Sequence, residues 1–239
     1  VPTPLREILH QLSHAADASG RPAPRLLAVS KTRPATDIAA LAAEGQQAFG
    51  ENYVQEAVDK IQALQHLALE WHLIGHLQSN KADLAARHFQ WVQSVDRSKL
   101  VDALARHRPA ALGPLDILLQ VNIDDEAGKQ GCHPDGVPAL ARQVASQPLL
   151  RLRGLMAIPT PWPDAARRRA GFAAMHALFS DLKREHPHID TLSMGMSGDY
   201  PEAIAEGATM VRIGTALFGA RPRSEAGSGT DLNPSGRIA

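Results

Sequence analysis

The sequence predicts a single (β/α)8 TIM barrel, an α/β fold, preceded by one extra N-terminal helix. Three observations carry that expectation. Eight short apolar runs alternate with longer segments of helical period along the chain. Several of those runs are continuously apolar, as strands covered on both faces of a parallel sheet are. Their spacing suits eight parallel β/α units that close on themselves. An open, doubly wound sheet shares this pattern, because strand succession alone does not prove closure.

The elements follow in order. Thr3–Ser19 repeats Leu5, Ile8, Leu9 and Leu12 at helical spacing behind a Thr-Pro start, and forms the extra helix. The strand candidates are Arg25–Lys31, Ala48–Asn52, Glu70–His76, Trp91–Val95, Leu115–Ile123, Leu150–Ile158, Thr191–Met196 and Met210–Phe218. Between them lie helix candidates at Thr36–Glu44, Val54–Leu64, Lys81–His88, Lys99–Arg106, Val137–Ser146, Asp164–Glu185 and Pro201–Glu206. Phe172, Met175 and Phe179 recur at the spacing of a helix packed on a barrel. The barrel is expected over residues 1–221. A polar, Gly/Ser-rich, flexible tail is expected over 222–239.

Composition narrows the function classes. A chain of 239 residues with 44% hydrophobic and 21% charged residues has the balance of a soluble globular protein and is too apolar for disorder. Lys+Arg and Asp+Glu are 25 each, so bulk charge gives no drive toward nucleic acid. A single cysteine, Cys132, excludes an internal disulfide and a thiolate-rich metal site. No apolar run reaches the ~20 residues of a membrane span. The N-terminal Val-Pro-Thr-Pro lacks the basic-then-apolar layout of a signal peptide. A cytoplasmic protein is expected, with no membrane or nucleic-acid partner.

In a parallel barrel, function gathers at the C-terminal ends of the strands. There the sequence places Lys31, Glu51 and Asn52, His76, Asn122, Met156, Ser197 and Gly198, and Arg212-Ile213-Gly214-Thr215. Lys31 is the most informative. Only six of the 25 basic residues are lysines, so lysine is not used freely as a solubiliser. This one closes the apolar run Leu26–Val29, whose neighbours favour the neutral, nucleophilic amine. Such an amine can form a Schiff base with an aldehyde. A lysine that leaves the barrel for water, or pairs with Glu51, fits the same position.

The second signal joins Ser197-Gly198 to Gly214-Thr215, on the last two strands. That is where this fold cradles phosphate, with a hydroxyl, closely approaching N–H groups and a following helix N-terminus. Turn-forming glycines, and a Ser197 that merely caps the next helix, are the alternative. His72 and His76 lie four apart on one predicted strand, but no third ligand is in register, so no metal is expected. His76 reads instead as a polar lining residue. Cys132 reads as a plain loop thiol and Arg167-Arg168-Arg169 as a solvated helix face.

The segments LLAVSKTRP (Leu26–Pro34), FGENYVQE (Phe49–Glu56), WHLIGHLQSNK (Trp71–Lys81), LLQVNI (Leu118–Ile123), LRGLMAIP (Leu152–Pro159) and Leu192–Arg221 come in fixed order. Through them the chain resembles the YggS/PROSC family of pyridoxal-phosphate homeostasis proteins over about Leu5 to Arg221. The resemblance implies a fold-type III, alanine-racemase-like barrel that carries pyridoxal 5′-phosphate as an aldimine on Lys31. It implies that Ser197, Gly198, Arg212, Gly214 and Thr215 surround the phosphate and ring, and that Asn52, His76 and Met156 line the pocket. Arg212 matches the arginine that faces the pyridine nitrogen in the racemases. A cation there keeps that nitrogen unprotonated and the ring a weaker electron sink.

Three functions are weighed. The first is a monomeric carrier that holds the aldehyde reversibly on Lys31, without turnover, and passes it to apo-enzymes. The second is an amino-acid racemase, which needs a base on each face of a planar intermediate. Its second base in barrel racemases is a tyrosine outside the barrel, whereas Tyr53 and Tyr200 are the only tyrosines here. The third is a sugar-phosphate isomerase with Glu51 as base and Lys31 as an electrostatic group.

Overall fold

The structure is a computed structural model and describes residues 2–126 and 128–219; the predicted tail lies outside the described residues. The strands are β1 (Arg25–Val29), β2 (Ala48–Glu51), β3 (Glu70–Leu73), β4 (Trp91–Val95), β5 (Leu115–Val121), β6 (Leu150–Ala157), β7 (Thr191–Met196) and β8 (Met210–Ile213). They form a closed parallel barrel in sequence order. Closure is carried by β8 on β1, in register from Arg25↔Met210 to Ala28↔Ile213, which excludes the open sheet.

The helices are α1 (Pro4–Ser19), α2 (Ala35–Ala43), α3 (Val54–Ala63), α4 (Ala82–His88), α5 (Ser98–His107), α6 (Val137–Ala145), α7 (Ala165–Glu185), α8 (Tyr200–Ala205) and α9 (Thr215–Phe218). The extra helix α1 starts where Thr3 Oγ1 accepts the Arg6 N–H, with Pro4 in its first turn, and stops at Gly20, left-handed at φ 64°. It buries Leu5, Ile8, Leu12 and Ala16, while Leu9, expected on the same stripe, stands exposed. At Gly154 the β5–β6 register shifts. Its φ is +144°, and a Cβ there would collide with the Thr191 carbonyl, so only glycine lets β7 approach.

Several strands end earlier than predicted. β1 stops at Val29, which puts Lys31 in a turn beyond the strand rather than on it. β3 stops at Leu73, so His72 and His76 do not share a strand face. The largest correction is at β8. The apolar run to Phe218 breaks at Gly214 (φ −121°, ψ −73°), and residues 215–218 form the single turn α9. Apolar side chains on a one-turn helix and on a strand give the same short run, so periodicity did not separate them.

Candidate functional site at the barrel rim

The turn Ser30-Lys31-Thr32 is held from several sides. The Ser30 N–H reaches Gly50 O (3.0 Å) and the Arg33 N–H reaches Ser30 O (3.0 Å). Thr32 takes φ 62°, a left-handed conformation that costs a β-branched residue about 1–3 kcal/mol and persists only where neighbours impose it. Two neighbours do so from α3. Glu56 Oε1 accepts the Thr32 N–H (2.6 Å), and Lys60 Nζ donates to Ser30 O (2.8 Å).

Beneath the turn, Lys60 Nζ also donates to Glu51 Oε1 (2.8 Å) and Glu56 Oε1 (2.6 Å), and Ser30 Oγ donates to Glu51 Oε1 (2.6 Å). Burial raises the Glu51 pKa, and the bonds from Lys60 and Ser30 oppose it. The lysine that pairs with Glu51 is therefore Lys60. Lys31 lines a cleft instead, together with Val29, Arg33, Gly214 and Thr215.

That cleft unites two of the predicted signals, the lysine and the Gly214-Thr215 turn. Their adjacency follows from barrel closure, since β8 lies beside β1. A Cβ on Gly214 would stand 3.1 Å from Val29 O, so the glycine lets the two strand ends converge. The N–H groups of Leu217 and Phe218 turn back to Gly214 O (2.9 and 3.1 Å). Those of Thr215 and Ala216 are first-turn donors with no intrahelical acceptor. Arg33 crosses the cleft to bond Gly219 O and lies over the Phe218 ring, 5.7 Å from its centroid.

On the other flank of β8, Met196 is in register with Arg212. The Met196 N–H donates to Asp199 Oδ1 (2.6 Å) and the Asp199 N–H returns to Met196 O (3.1 Å), closing a turn that presents Ser197 and Gly198 to solvent. Asp199, not Ser197, stands at the N-cap of α8. A Cβ on Gly198 would meet no atom of the described residues within 4 Å. Gly198 lines a neighbouring cavity with Trp162, Arg168 and Met196, distinct from the Lys31 cleft.

Arg212 is buried below the rim. Its Nη1 donates to Ser193 O and Oγ, and its Nη2 to Ala157 O, each at 2.8 Å. Burial lowers its pKa to about 10 against the pull of Asp199, so it remains a cation at neutral pH.

The predicted lining residues separate. Asn52 is half-buried on the rim, and its Oδ1 is buried without a partner among the described residues. His76 is exposed on the loop after β3. Met156 is wholly buried among Trp91 and Leu118 inside the barrel, away from the cleft. Gly75 supports Asn52, because a Cβ there would overlap the Asn52 carbonyl. Gly75→Ala is expected to cost about 1–3 kcal/mol by overpacking and to displace Asn52, measured by thermal unfolding.

Glu56, Lys60, Arg33 and Asp199 were not anticipated as parts of the site. The signal for one pair was present. Lys60 is one of few lysines and follows Glu56 by four residues, the spacing of facing helical charges.

A closed barrel whose first strand delivers a lysine to an N–H-rich turn after its last strand defines a racemase-type barrel domain. The profile described as "Alanine racemase, N-terminal domain" matches residues 4–222. The chain belongs to the pyridoxal phosphate homeostasis protein family. It is 52% identical to the pyridoxal phosphate homeostasis protein of Pasteurella multocida, covering 92% of this chain and 97% of that protein. With the Escherichia coli K12 protein of the same name it shares 51%, again over 92% and 97%. Among solved structures it is similar to PipY of Synechococcus elongatus without PLP, at 39% identity and a TM-score of 0.81, over 90% of this chain and 98% of that one. PipY with PLP bound gives 39% and 0.76, over 88% and 100%. An alanine racemase of Clostridium difficile, at 13% identity and a TM-score of 0.68, shares the fold.

Proposed function

We propose that this chain binds pyridoxal 5′-phosphate at the rim cleft, holds its aldehyde covalently and reversibly on Lys31, and serves cofactor homeostasis without turnover. The observation that carries the reading is one cleft lined by both Lys31 and the Gly214-Thr215 turn. When bound, the cofactor supplies an aldehyde carbon, a phosphate dianion and a ring nitrogen. The donor set fits them. Lys31 offers the amine, and the first-turn N–H groups at Thr215 and Ala216 suit an anion. Ser197, with Gly198 N–H beside it, offers further donors across β8, and Arg212 offers a buried cation. Asn52 Oδ1, without a partner among the described residues, offers a buried acceptor. His76 and Met156 belong to the lining only if it extends beyond the residues of the cleft. In this reading the chain works as a monomer in the cytoplasm and passes the cofactor to apo-enzymes.

Absence of turnover is supported by the two tyrosines. Tyr200 donates its hydroxyl to Gln11 Oε1 on α1 (3.1 Å), outside the barrel wall. Tyr53 stands at the start of α3, 61% exposed and not among the residues that line the cleft. A cationic Arg212 beside the ring nitrogen also weakens the electron sink that racemisation requires.

The test is borohydride reduction of protein incubated with pyridoxal phosphate, followed by peptide mass mapping. Label is expected on the peptide carrying Lys31, and alanine is expected to gain no deuterium at Cα in heavy water. Label confined to another lysine would sink the site. Lys31-dependent exchange would make the protein an enzyme.

A further inference from the structure

A chain of side-chain hydrogen bonds runs from Arg212 through the barrel interior to its opposite end. Arg212 Nη1 donates to Ser193 Oγ (2.8 Å), Ser193 Oγ donates to Gln93 Oε1 (2.8 Å), and Gln93 Nε2 meets His72 Nδ1 (2.9 Å). His72 Nε2 then meets Glu70 Oε1 (2.5 Å), which also receives Arg25 Nη2 (2.8 Å). The route passes from β8 to β7, jumps across the barrel to β4, and descends through β3 to the first residues of β3 and β1. Ser193, Gln93 and His72 have no solvent exposure.

The two ends dictate the proton positions between them. An arginine only donates and an ionised carboxylate only accepts. Every intervening group must therefore accept from the Arg212 side and donate toward Glu70. Ser193 has one proton, and it goes to Gln93. Gln93 accepts at its oxygen and donates from its amide nitrogen. His72 must accept at Nδ1 and carry its proton on Nε2, as a neutral ring. Burial lowers the His72 pKa, which favours that neutral form. The ring is further fixed by stacking on Trp91, at 4.9 Å between centroids. Only one arrangement satisfies all five groups, so the links polarise in one direction and support one another.

We propose that Gln93 and His72 are positioning residues of the rim site, acting through Ser193 to hold the Arg212 guanidinium in one plane and orientation toward the ligand ring. This rests on the reading of Arg212 as a ligand-facing cation, but the chain itself is testable without ligand. In ligand-free protein, 15N NMR is expected to find His72 protonated at Nε2 and bare at Nδ1. A ring protonated at Nδ1 would overturn the chain.

Gln93→Met keeps the volume and removes both links. It is expected to release pyridoxal phosphate about tenfold faster, the change that weakening one Arg212–ligand hydrogen bond would give, and to change the ratio of visible to near-ultraviolet absorption of the loaded protein. Ser193→Thr, which retains the hydroxyl, is expected to keep wild-type release and spectrum. A Gln93→Met protein that unfolds earlier but keeps both would reduce the chain to packing and overturn the proposal. If Gln93→Met does not fold, the Ser193→Ala and Ser193→Thr pair decides by the same readouts. Failure of the wild type to bind pyridoxal phosphate would instead strike the proposed function, leaving the His72 tautomer to stand or fall separately.

Discussion

Lys31→Ala is expected to abolish the visible absorption of the protein incubated with pyridoxal phosphate, and with it all borohydride-stable label. The reason is that, of the six lysines, Lys31 is the one that lines the cleft. Lys60 is shared among Ser30, Glu51 and Glu56 under the turn. Lys129 is bonded to Thr160 and Glu126, and Lys183 lies over the Phe179 ring on α7. The ligand contacts proposed for Arg212 and the Gly214-Thr215 turn do not involve Lys31, so weak, colourless binding is expected to persist. Lys31 lines a surface cleft and is not part of the buried core, so the thermal midpoint is expected to stay within a few degrees of wild type. Absorption spectra and thermal scans of the two proteins check both halves. A visible band that survives in Lys31→Ala assigns the imine to a different residue.

The second large effect falls on stability. Lys60→Met removes the cation of a buried pair and leaves Glu51, which is wholly inaccessible, with only the Ser30 hydroxyl. Breaking a buried pair from one side costs about 3–5 kcal/mol, because the stranded charge is not rehydrated. In a chain of this size that lowers the thermal midpoint by about 6–20 °C. The loss is expected to depend on pH, and its sign is fixed by Glu51. Burial raises the Glu51 pKa and Lys60 opposes that rise, so removing Lys60 raises it further. A folded carboxyl with a raised pKa favours the native state below its ordinary range and disfavours it as pH climbs through the folded value. The gap between variant and wild type is therefore expected to widen from acid toward neutral pH. Denaturant unfolding at several pH values measures it, and a gap that narrows with rising pH would show that Glu51 is not the stranded group. The same substitution frees Ser30 O and loosens the turn that carries Lys31, so slower covalent capture is expected beside the stability loss.

These two results concern lysines with different roles that look alike in sequence. The rim position of Lys31 was legible because it follows an apolar run at a place where parallel barrels collect chemistry. Lys60 sits on a helix with ordinary polar neighbours, and only the folded chain turns it inward. The same division holds for the proposed phosphate cradle. Gly214 and Thr215 were expected at the rim, but the strand drawn through Phe218 became the one-turn helix α9. Met156 lay at the predicted strand end yet points into a closed cluster with Trp91 and Leu118. Alternation assigns a face to a residue only when the strand's limits and register are known.

What the amino-acid sequence determined by itself is what nearest neighbours encode: eight apolar runs, their parallel-sheet character, the leading helix with its Thr3 and Gly20 ends, and a lysine at the mouth of the first strand. What the tertiary structure alone decided is which distant groups share a hydrogen bond. Ser193 and Gln93 are separated by 100 residues, and Arg212 and Ala157 by 55. Barrel closure brings them within 2.8 Å in a space that excludes water. Local periodicity reports how each segment sits on the core, but a buried polar group must find its partner wherever the fold delivers one.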